Sequence, residues 1–295
     1  MATTAHKISV RHFTIEYRKA QSAMEYLMTY GWAILIIAVV LGALFQLGVF
    51  SSNNFEPKAT PGSCDVFRSA ATGASQVVSL EGMCGGELPE YTAQFGGAGY
   101  IQFGTPISLV NSGTITAWIL PTSFSGNPVI LGNGAGAPVM LFVVSPNDLA
   151  LSAIQSGSQV IENSGVSIPP NIWTFVAVTF GPSGTVFYVN GAAASSSSTP
   201  TSGASFIPTI GWGGSSTSYW NGDIANIQVY NTTLSAANIG MLYTQGIGAA
   251  PTRLQNLVAW WPLNGNANDY SGFGNDGTPS NVLFTGTWWR QYIKT

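Results

Sequence analysis

The feature that most constrains the fold is a series of short segments, beginning near residue 91, that suit β-strands. Apolar and polar residues alternate with period two over 114–119, 173–180 and 185–189, and a further strand-like run covers 224–230. Such alternation turns one face of a strand toward a core and the other toward solvent. Many short strands separated by Gly, Ser, Asn and Pro are typical of a β-sandwich or barrel. The sequence therefore predicts an all-β domain built from half-buried strands.

Two local signals refine this pattern. Asn190-Gly191 follows the run 185–189 and predicts a tight hairpin turn. Residues 234–245 alone in this region indicate a helical turn or short helix, with Ser235 as its N-cap.

The chain has few charged groups. Only 7% of its 295 residues are charged, and its formal net charge is −3, whereas about 25% is usual for soluble domains. No Lys or Arg occurs between Arg68 and Arg253, so the cations that bind a phosphate backbone are missing from most of the chain. Nucleic acid is therefore excluded as a partner.

The N-terminus combines a basic segment with an apolar one. Residues 1–20 are net basic, and the span 30–50 contains a single strongly polar residue, Gln46. As a helix this span would reach about 30 Å, the thickness of the hydrocarbon core of a bilayer. Positive charge beside an apolar span stays in the cytoplasm. The sequence predicts a membrane helix with the rest of the chain outside the cell.

The stretch Arg18–Leu27 resembles an archaeal class III signal peptide, the leader of type IV pilin-like proteins. The resemblance implies that a prepilin peptidase cuts between Ala20 and Gln21 and leaves the apolar helix attached. It also implies that Glu25 meets the freed amine of Gln21 on a neighbouring subunit, so that the chain self-assembles into a filament. The alternatives are a Glu that only favours a helix start and a plain uncleaved anchor.

Cys64 and Cys84 are the two cysteines of the chain, and the segment between them suggests a strand hairpin. Outside a membrane, such a pair predicts a disulfide more than a metal site, because no His lies near it. Two buried free thiols are the alternative.

Several segments together carry a second resemblance, in this order: 94–101, 115–121, 173–191, 222–231, 234–235 and 242–243. They resemble a concanavalin A-like, laminin G-type jelly roll across about residues 94–246. Trp118 and Trp173 are then expected in its core.

The end of the chain repeats part of this family pattern. Residues 257–264 and 269–277 resemble the family's opening strand and first loop, although they stand last. They either complete the preceding sandwich, as in a circular permutation, or begin a truncated second domain. About forty residues cannot build their own sandwich core, which favours completion, with Trp288-Trp289 covering the sandwich.

The predicted fold class is therefore an all-β jelly roll on an N-terminal transmembrane or pilin-like α-helix. The predicted divisions are a leader (1–20), a transmembrane or assembly helix (21–50), a disulfide-stapled linker hairpin (51–93), a laminin G-like jelly roll (94–250) and a completing C-terminal segment (251–295).

Catalysis is not expected. His6 and His12 precede the predicted cleavage site, so the mature chain would lack histidine chemistry. Between residues 94 and 250 the acids are Asp148, Glu162 and Asp223, none close to another in sequence. Retaining glycosidases need two carboxyl groups about 5–5.5 Å apart. The sequence predicts no enzyme.

Two further sites are candidates. Asp269, Asn275 and Asp276 form the best local oxygen cluster for calcium, with Asp223 as a fourth ligand; the alternative is a turn that caps its own backbone. Asn231 begins the glycosylation sequon Asn-Thr-Thr.

These features predict a module displayed on the cell membrane, with an extracellular C-terminal domain, or in a surface filament. Its expected role is adhesion through a carbohydrate or another cell-surface ligand. The alternative is a purely structural pilin-like subunit of an envelope or filament, and a glycoside hydrolase is disfavoured.

Overall fold

The computed structural model describes residues 28, 30–43, 64–69, 75–80, 89–134, 138–144 and 146–286, with the backbone alone for 64–69 and 75–80. The chain divides into two compact units, Met1–Lys58 and Ala59–Thr295. In the first unit, residues 30–43 form a helix, α1. Within the described ranges, no helix is long and apolar enough to cross a membrane. The apolar span predicted over 30–50 continues through 44–50, which lie outside the described residues.

The second unit is built from strands. The first two, β1 (Cys64–Ser69) and β2 (Ser75–Leu80), pair antiparallel and confirm the predicted hairpin. The others are, in chain order, β3 (Thr92–Phe103), β4 (Ile107–Ser108), β5 (Gly113–Pro121), β6 (Val129–Gly132), β7 (Met140–Val144), β8 (Asp148–Gln155), β9 (Ser158–Ser167), β10 (Thr174–Gly181), β11 (Gly184–Val189), β12 (Ala192–Ser197), β13 (Ser205–Phe206), β14 (Thr209–Ile210), β15 (Asn221–Tyr230), β16 (Leu257–Trp261) and β17 (Gly277–Thr285).

One hydrogen-bonded path joins most of these strands. It runs β12-β11-β10-β5-β15-β3-β14-β6-β7-β8-β9, with β16 paired to β15 and β17 to β3. Both ends of the path contribute to one buried apolar cluster: Ile115 and Val178 from β5 and β10 share it with Leu141 and Leu151 from β7 and β8. The path therefore folds back on itself, and the predicted all-β jelly-roll sandwich is confirmed.

The strand β5 differs from its prediction. It was expected to be half-buried, yet all nine of its residues are buried. Ile115 and Ile119 face the inter-sheet core, while Trp118 and Leu120 belong to a second apolar cluster. A short helix, α2 (Ala236–Thr244), contributes Ile239 to that second cluster. Tertiary packing thus covers the face that alternation alone assigns to solvent.

A bulge in β15 changes which side chains face the core. Ile224 and Ile227, three residues apart, both enter the inter-sheet cluster, because the register shifts between Ala225 and Gln228. At the bulge Asn226 has a φ of 48°, and its side-chain nitrogen donates to the carbonyl oxygens of residues 247 and 249 at 2.9 and 2.8 Å. Its side-chain oxygen accepts from the indole N–H of Trp260 at 2.8 Å. The bulge therefore ties the C-terminal segment to the centre of the sheet.

The C-terminal segment shares the sheet and the core of the preceding strands. In the register of β16 with β15, Trp261 lies opposite Ile227, and β17 pairs with β3 along most of its length. Trp261 and Leu263 are fully buried in the inter-sheet cluster. Trp288-Trp289, predicted to cover the sandwich, lie outside the described residues.

The local predictions hold at the turn and the helix. Asn190 and Gly191 both have positive φ, 49° and 77°, as the hairpin turn requires. Ser235 is the N-cap of α2, and its hydroxyl oxygen accepts from the backbone N–H of Asn238.

Candidate functional site

Three partly exposed aromatic side chains meet beside β3 and β14: Tyr100, Trp212 and Tyr219. The rings of Trp212 and Tyr219 stack with centroids 5.8 Å apart and planes 17° from parallel. Tyr100 lies 5.3 Å from Trp212, tilted by 40°. Because Ile101 is fully buried in the core, strand alternation turns its neighbour Tyr100 away from the core. We call these three residues the aromatic platform.

A single buried hydroxyl organises the loop that carries Trp212 and Tyr219. The Ser218 oxygen accepts from the backbone N–H groups of Gly213 and Ser215 at 3.0 and 3.1 Å. It also donates to the carbonyl oxygen of Ser215 at 2.8 Å. Three hydrogen bonds at one atom hold the loop in one conformation before any ligand arrives, which reduces the entropy lost on binding.

Trp212 is held through both its backbone and its indole. Thr209 donates its hydroxyl to the Trp212 carbonyl oxygen at 2.7 Å, and the indole N–H donates to the carbonyl oxygen of Ser215 at 3.0 Å. Gly134 lies beneath the ring: a Cβ there would stand 2.9 Å from the indole carbon Cζ3. Glycine therefore lets the ring lie against the backbone.

Neutral polar side chains near the platform residues form what we call its polar border. The Asn221 amide donates to the Ser123 hydroxyl at 2.8 Å in an exposed position. In the platform loop, Ser215 and Thr217 are also exposed. Amide and hydroxyl groups both donate and accept hydrogen bonds, so this border can bind hydroxyl-rich ligands.

A second candidate is a cleft of about 590 Å³ lined by Trp118, Ile172, Trp173, Asn190, Tyr243, Thr244 and Gly246. Its indoles are nearly buried, with Trp118 4% and Trp173 3% exposed, as expected for core residues. Tyr243 stacks on Trp118 at 5.9 Å and remains 37% exposed. Tyr243 is thus the one exposed ring among the residues that line this cleft, whereas the platform has three partly exposed rings in contact, so the platform is the better candidate.

Comparison with known protein families gives a match to part of the sandwich. Residues 95–240 match the model of the concanavalin A-like lectin/glucanases superfamily. These residues form a concanavalin A-like domain. No curated protein matches the sequence significantly.

Several solved structures are similar to this chain. A candidate carbohydrate-binding protein of Bacteroides ovatus ATCC 8483 is similar, with a TM-score of 0.54 at 17% identity, over 73% of this chain and 64% of that one. A heptameric SAP-like pentraxin of Limulus polyphemus has a TM-score of 0.48 at 14% identity, over 67% of this chain and 95% of that one. Domains LG4-5 of the mouse laminin α1 chain have a TM-score of 0.40 at 16% identity, over 56% of this chain and 46% of that one. This chain thus spans 64% of the length of the first of these proteins, and at such identities likeness shows the fold alone.

Near the end of the chain, the predicted calcium cluster forms a hydrogen-bonded turn. One Asp269 oxygen accepts from the backbone N–H groups of Trp260 and Ser271 at 3.0 and 2.9 Å. Its other oxygen accepts from the Ser271 hydroxyl and the Asn275 N–H at 2.8 and 2.9 Å. Asp276 accepts from the Asp269 N–H at 2.8 Å. The described residues contain no group of three or more His, Cys, Asp or Glu placed to hold a metal ion. Calcium binding stays a prediction, and a calcium ion at Asp269 would have to displace these donors.

Asp223 lies elsewhere in the domain, on β15 opposite Gln94 of β3. Its side chain is 4% exposed and accepts from the Thr92 hydroxyl at 3.3 Å. Burial raises the pKa of Asp223 to about 6, although the hydrogen bonds from Thr92 and Gln94 oppose the shift. The residue is four positions from Ile227, which pairs with Trp261, about 13 Å along a strand. It therefore lies apart from the Asp269 turn.

The other predicted sites remain predictions. Asn231 is exposed directly after β15, and its side-chain oxygen accepts from Asn256 at 3.4 Å. Ala20, Gln21, Glu25 and Cys84 lie outside the described residues, as does the side chain of Cys64.

Sequence reasoning missed the platform itself. Tyr100 was assigned only to a family motif, and Trp212 and Tyr219 were not singled out. A usable signal was present: Trp212 stands in the Gly- and Ser-rich run 211–218, where no strand alternation accounts for a large apolar residue.

Proposed function

We propose that this chain is a surface-displayed binding module that recognises carbohydrate through the aromatic platform. The observation that carries the proposal is the contact of three partly exposed rings on one face. A sugar ring presents C–H groups on its faces and hydroxyl groups at its edge. An aromatic surface removes those C–H groups from water, while neighbouring neutral donors and acceptors bind the hydroxyl groups.

The family and the fold support this proposal. Residues 95–240 match a superfamily whose description includes lectins. A structure of the same fold comes from a candidate carbohydrate-binding protein. The acids Asp148, Glu162 and Asp223 lie on three different strands, β8, β9 and β15, and we propose binding without catalysis.

The platform is tested by removing its central ring. Trp212→Ala in the full-length chain is expected to weaken binding to the best ligand on a glycan array at least tenfold, which corresponds to about 1.4 kcal/mol of lost ring contact. Affinity is measured by calorimetry in a detergent without a sugar headgroup, with calcium and with a chelator, which also tests the calcium prediction.

Two further variants make the test specific. Phe273→Ala removes a ring that is 52% exposed outside the platform and should leave affinity unchanged. Tyr243→Ala reports on the second cleft. If Tyr243→Ala lowers glycan affinity and Trp212→Ala does not, glycan binds in that cleft, and the proposal that the platform is the binding site is overturned.

We also propose that the N-terminal segment holds the module at the membrane or in a surface filament. The support is the order of three features in residues 18–50: a basic cluster, the predicted cleavage site and an apolar span. Glu25 is the proposed assembly residue. Mass spectrometry of the mature protein should find Gln21 as the first residue, and Glu25→Ala should abolish filaments. A mature chain that keeps residues 1–20 would contradict peptidase processing. Filaments without any glycan binding would favour the purely structural subunit.

A further inference from the structure

We infer that the aromatic platform selects uncharged glycans and rejects sugars that carry a carboxylate or a sulfate. This inference rests on the proposed function and names the class of ligand for the same site. It follows from the absence of Lys and Arg and the presence of acidic residues in the stretch of sequence that carries the platform.

The first step concerns cations. The platform and its polar border come from residues 94–230, and no Lys or Arg occurs between Arg68 and Arg253. An anionic group loses several kcal/mol of hydration when it leaves water, unless a charged donor replaces that water. Arginine is the usual partner because its planar fork matches a carboxylate or sulfate. This stretch of chain contains neither cation.

The second step concerns the remaining charges, which are all of one sign. Between residues 69 and 252 the ionisable acids are Glu81, Glu87, Glu90, Asp148, Glu162 and Asp223. The stretch of chain that carries the platform therefore contributes negative charge and no positive charge, which disfavours anions, and the effect grows as salt is lowered.

The third step concerns neutral donors. The Asn221 amide already donates to the Ser123 hydroxyl, and the indole N–H of Trp212 donates to Ser215. The N-terminus of α2, another kind of anion site, is capped by Ser235, which accepts from Asn238. The exposed side chains of Ser215 and Thr217 in the platform loop carry hydroxyl groups, which suit sugar hydroxyls and do not neutralise a full charge.

The test compares matched glycans on the full-length protein. The neutral ligand from the array is measured beside the same oligosaccharide with one terminal sialic acid, and beside its sulfated form, at pH 7 in low and high salt. Both anionic forms should bind at least tenfold more weakly, and the gap should narrow at high salt. Each measurement is repeated with a calcium chelator, since a bound cation could bridge to an anion.

A designed cation then tests the cause. Ser216→Arg places a guanidinium in the platform loop at an exposed position. It should raise affinity for the sialylated form at least fivefold and change affinity for the neutral form less than twofold. Ser158→Arg adds the same charge at an exposed position in β9 and should change neither.

The outcomes separate the two proposals. Equal or tighter binding of the anionic forms, with or without calcium, would overturn this inference and leave the binding function standing. The same gain from Ser158→Arg as from Ser216→Arg, or no gain from Ser216→Arg, would overturn the assigned cause. Absence of binding to every glycan would overturn the proposed function and this inference with it.

Discussion

At the scale of single residues, Asp223 shows how burial converts a predicted ligand into a determinant of stability. Its carboxyl group is 4% exposed, and desolvation raises its pKa from 3.8 to about 6. The folded protein therefore holds this proton at pH values where the unfolded chain has lost it. The contribution of this one group to folding is therefore greatest below about pH 4 and is lost as the pH rises through about 6.

We expect this effect to appear in the free energy of unfolding. The parent chain should lose about 2 kcal/mol of that free energy through Asp223 between pH 4 and pH 7, since one unit of pKa shift corresponds to about 1.4 kcal/mol and part of the loss has occurred by pH 4. Asp223→Asn keeps an acceptor for Thr92 and should remove this loss. Urea unfolding across pH measures both proteins.

The matched control is Thr92→Val, which removes the hydroxyl that donates to Asp223 and leaves the buried carboxyl group in place. Its stability should still fall as the pH rises. If the stability of Asp223→Asn has the same pH dependence as that of the parent, Asp223 ionises in the folded protein at no cost. The raised pKa of Asp223 is then wrong.

At the scale of elements, the loop between β14 and β15 decides whether the platform exists before ligand binds. Trp212 and Tyr219 approach the stacked geometry because the Ser218 hydroxyl joins the two sides of their loop. The bulge of β15 is a second example, since it redirects the side chains of the strand by one position.

We expect Ser218→Ala to weaken glycan binding about tenfold while the unfolding temperature changes by only a few degrees. Two backbone N–H groups lose their acceptor, so the loop samples other conformations and ligand binding must order it again. Calorimetry measures affinity, and hydrogen exchange at the amides of Gly213 and Ser215 reports the loop directly.

Ser216→Ala is the control, because this neighbouring side chain is exposed. It should leave affinity and exchange unchanged. Unchanged exchange in Ser218→Ala would show that other contacts hold the loop.

At the scale of the molecule, the sandwich depends on strands beyond the end of the family match. That match ends at residue 240, yet β16 and β17 pair with β15 and β3. Ala259 and Trp261 are fully buried in the core. Residues 257–285 therefore act as part of one cooperative unit.

We expect a chain ending after Thr252 to lose its cooperative unfolding transition. Truncation would remove the buried rings of Trp260 and Trp261 and leave β3 and β15 with unpaired edges, at a cost that exceeds the usual stability of a domain. Thermal melts followed by near-UV circular dichroism measure the loss. Deletion of Met1–Lys58, a separate compact unit, should leave the transition in place. A cooperative melt in the chain ending at Thr252 would show that the preceding strands fold alone.

Short-range patterns in the sequence determined most of the strands, the turn at Asn190-Gly191 and the cap at Ser235. Each depends on residues within a few positions of one another, so periodicity and local hydrogen bonding were enough to predict them. The absence of Lys and Arg between Arg68 and Arg253 is also read directly from the sequence, and it limits the ligands that a site built from this stretch can bind.

Only the tertiary structure decided the rest. It brought Tyr100 against Trp212 across more than a hundred residues, covered the outer face of β5, and gave the Asp269 carboxylate to backbone donors. The physical reason is common to all three: exposure and contact depend on which distant strands pack together, and no local period records that partner.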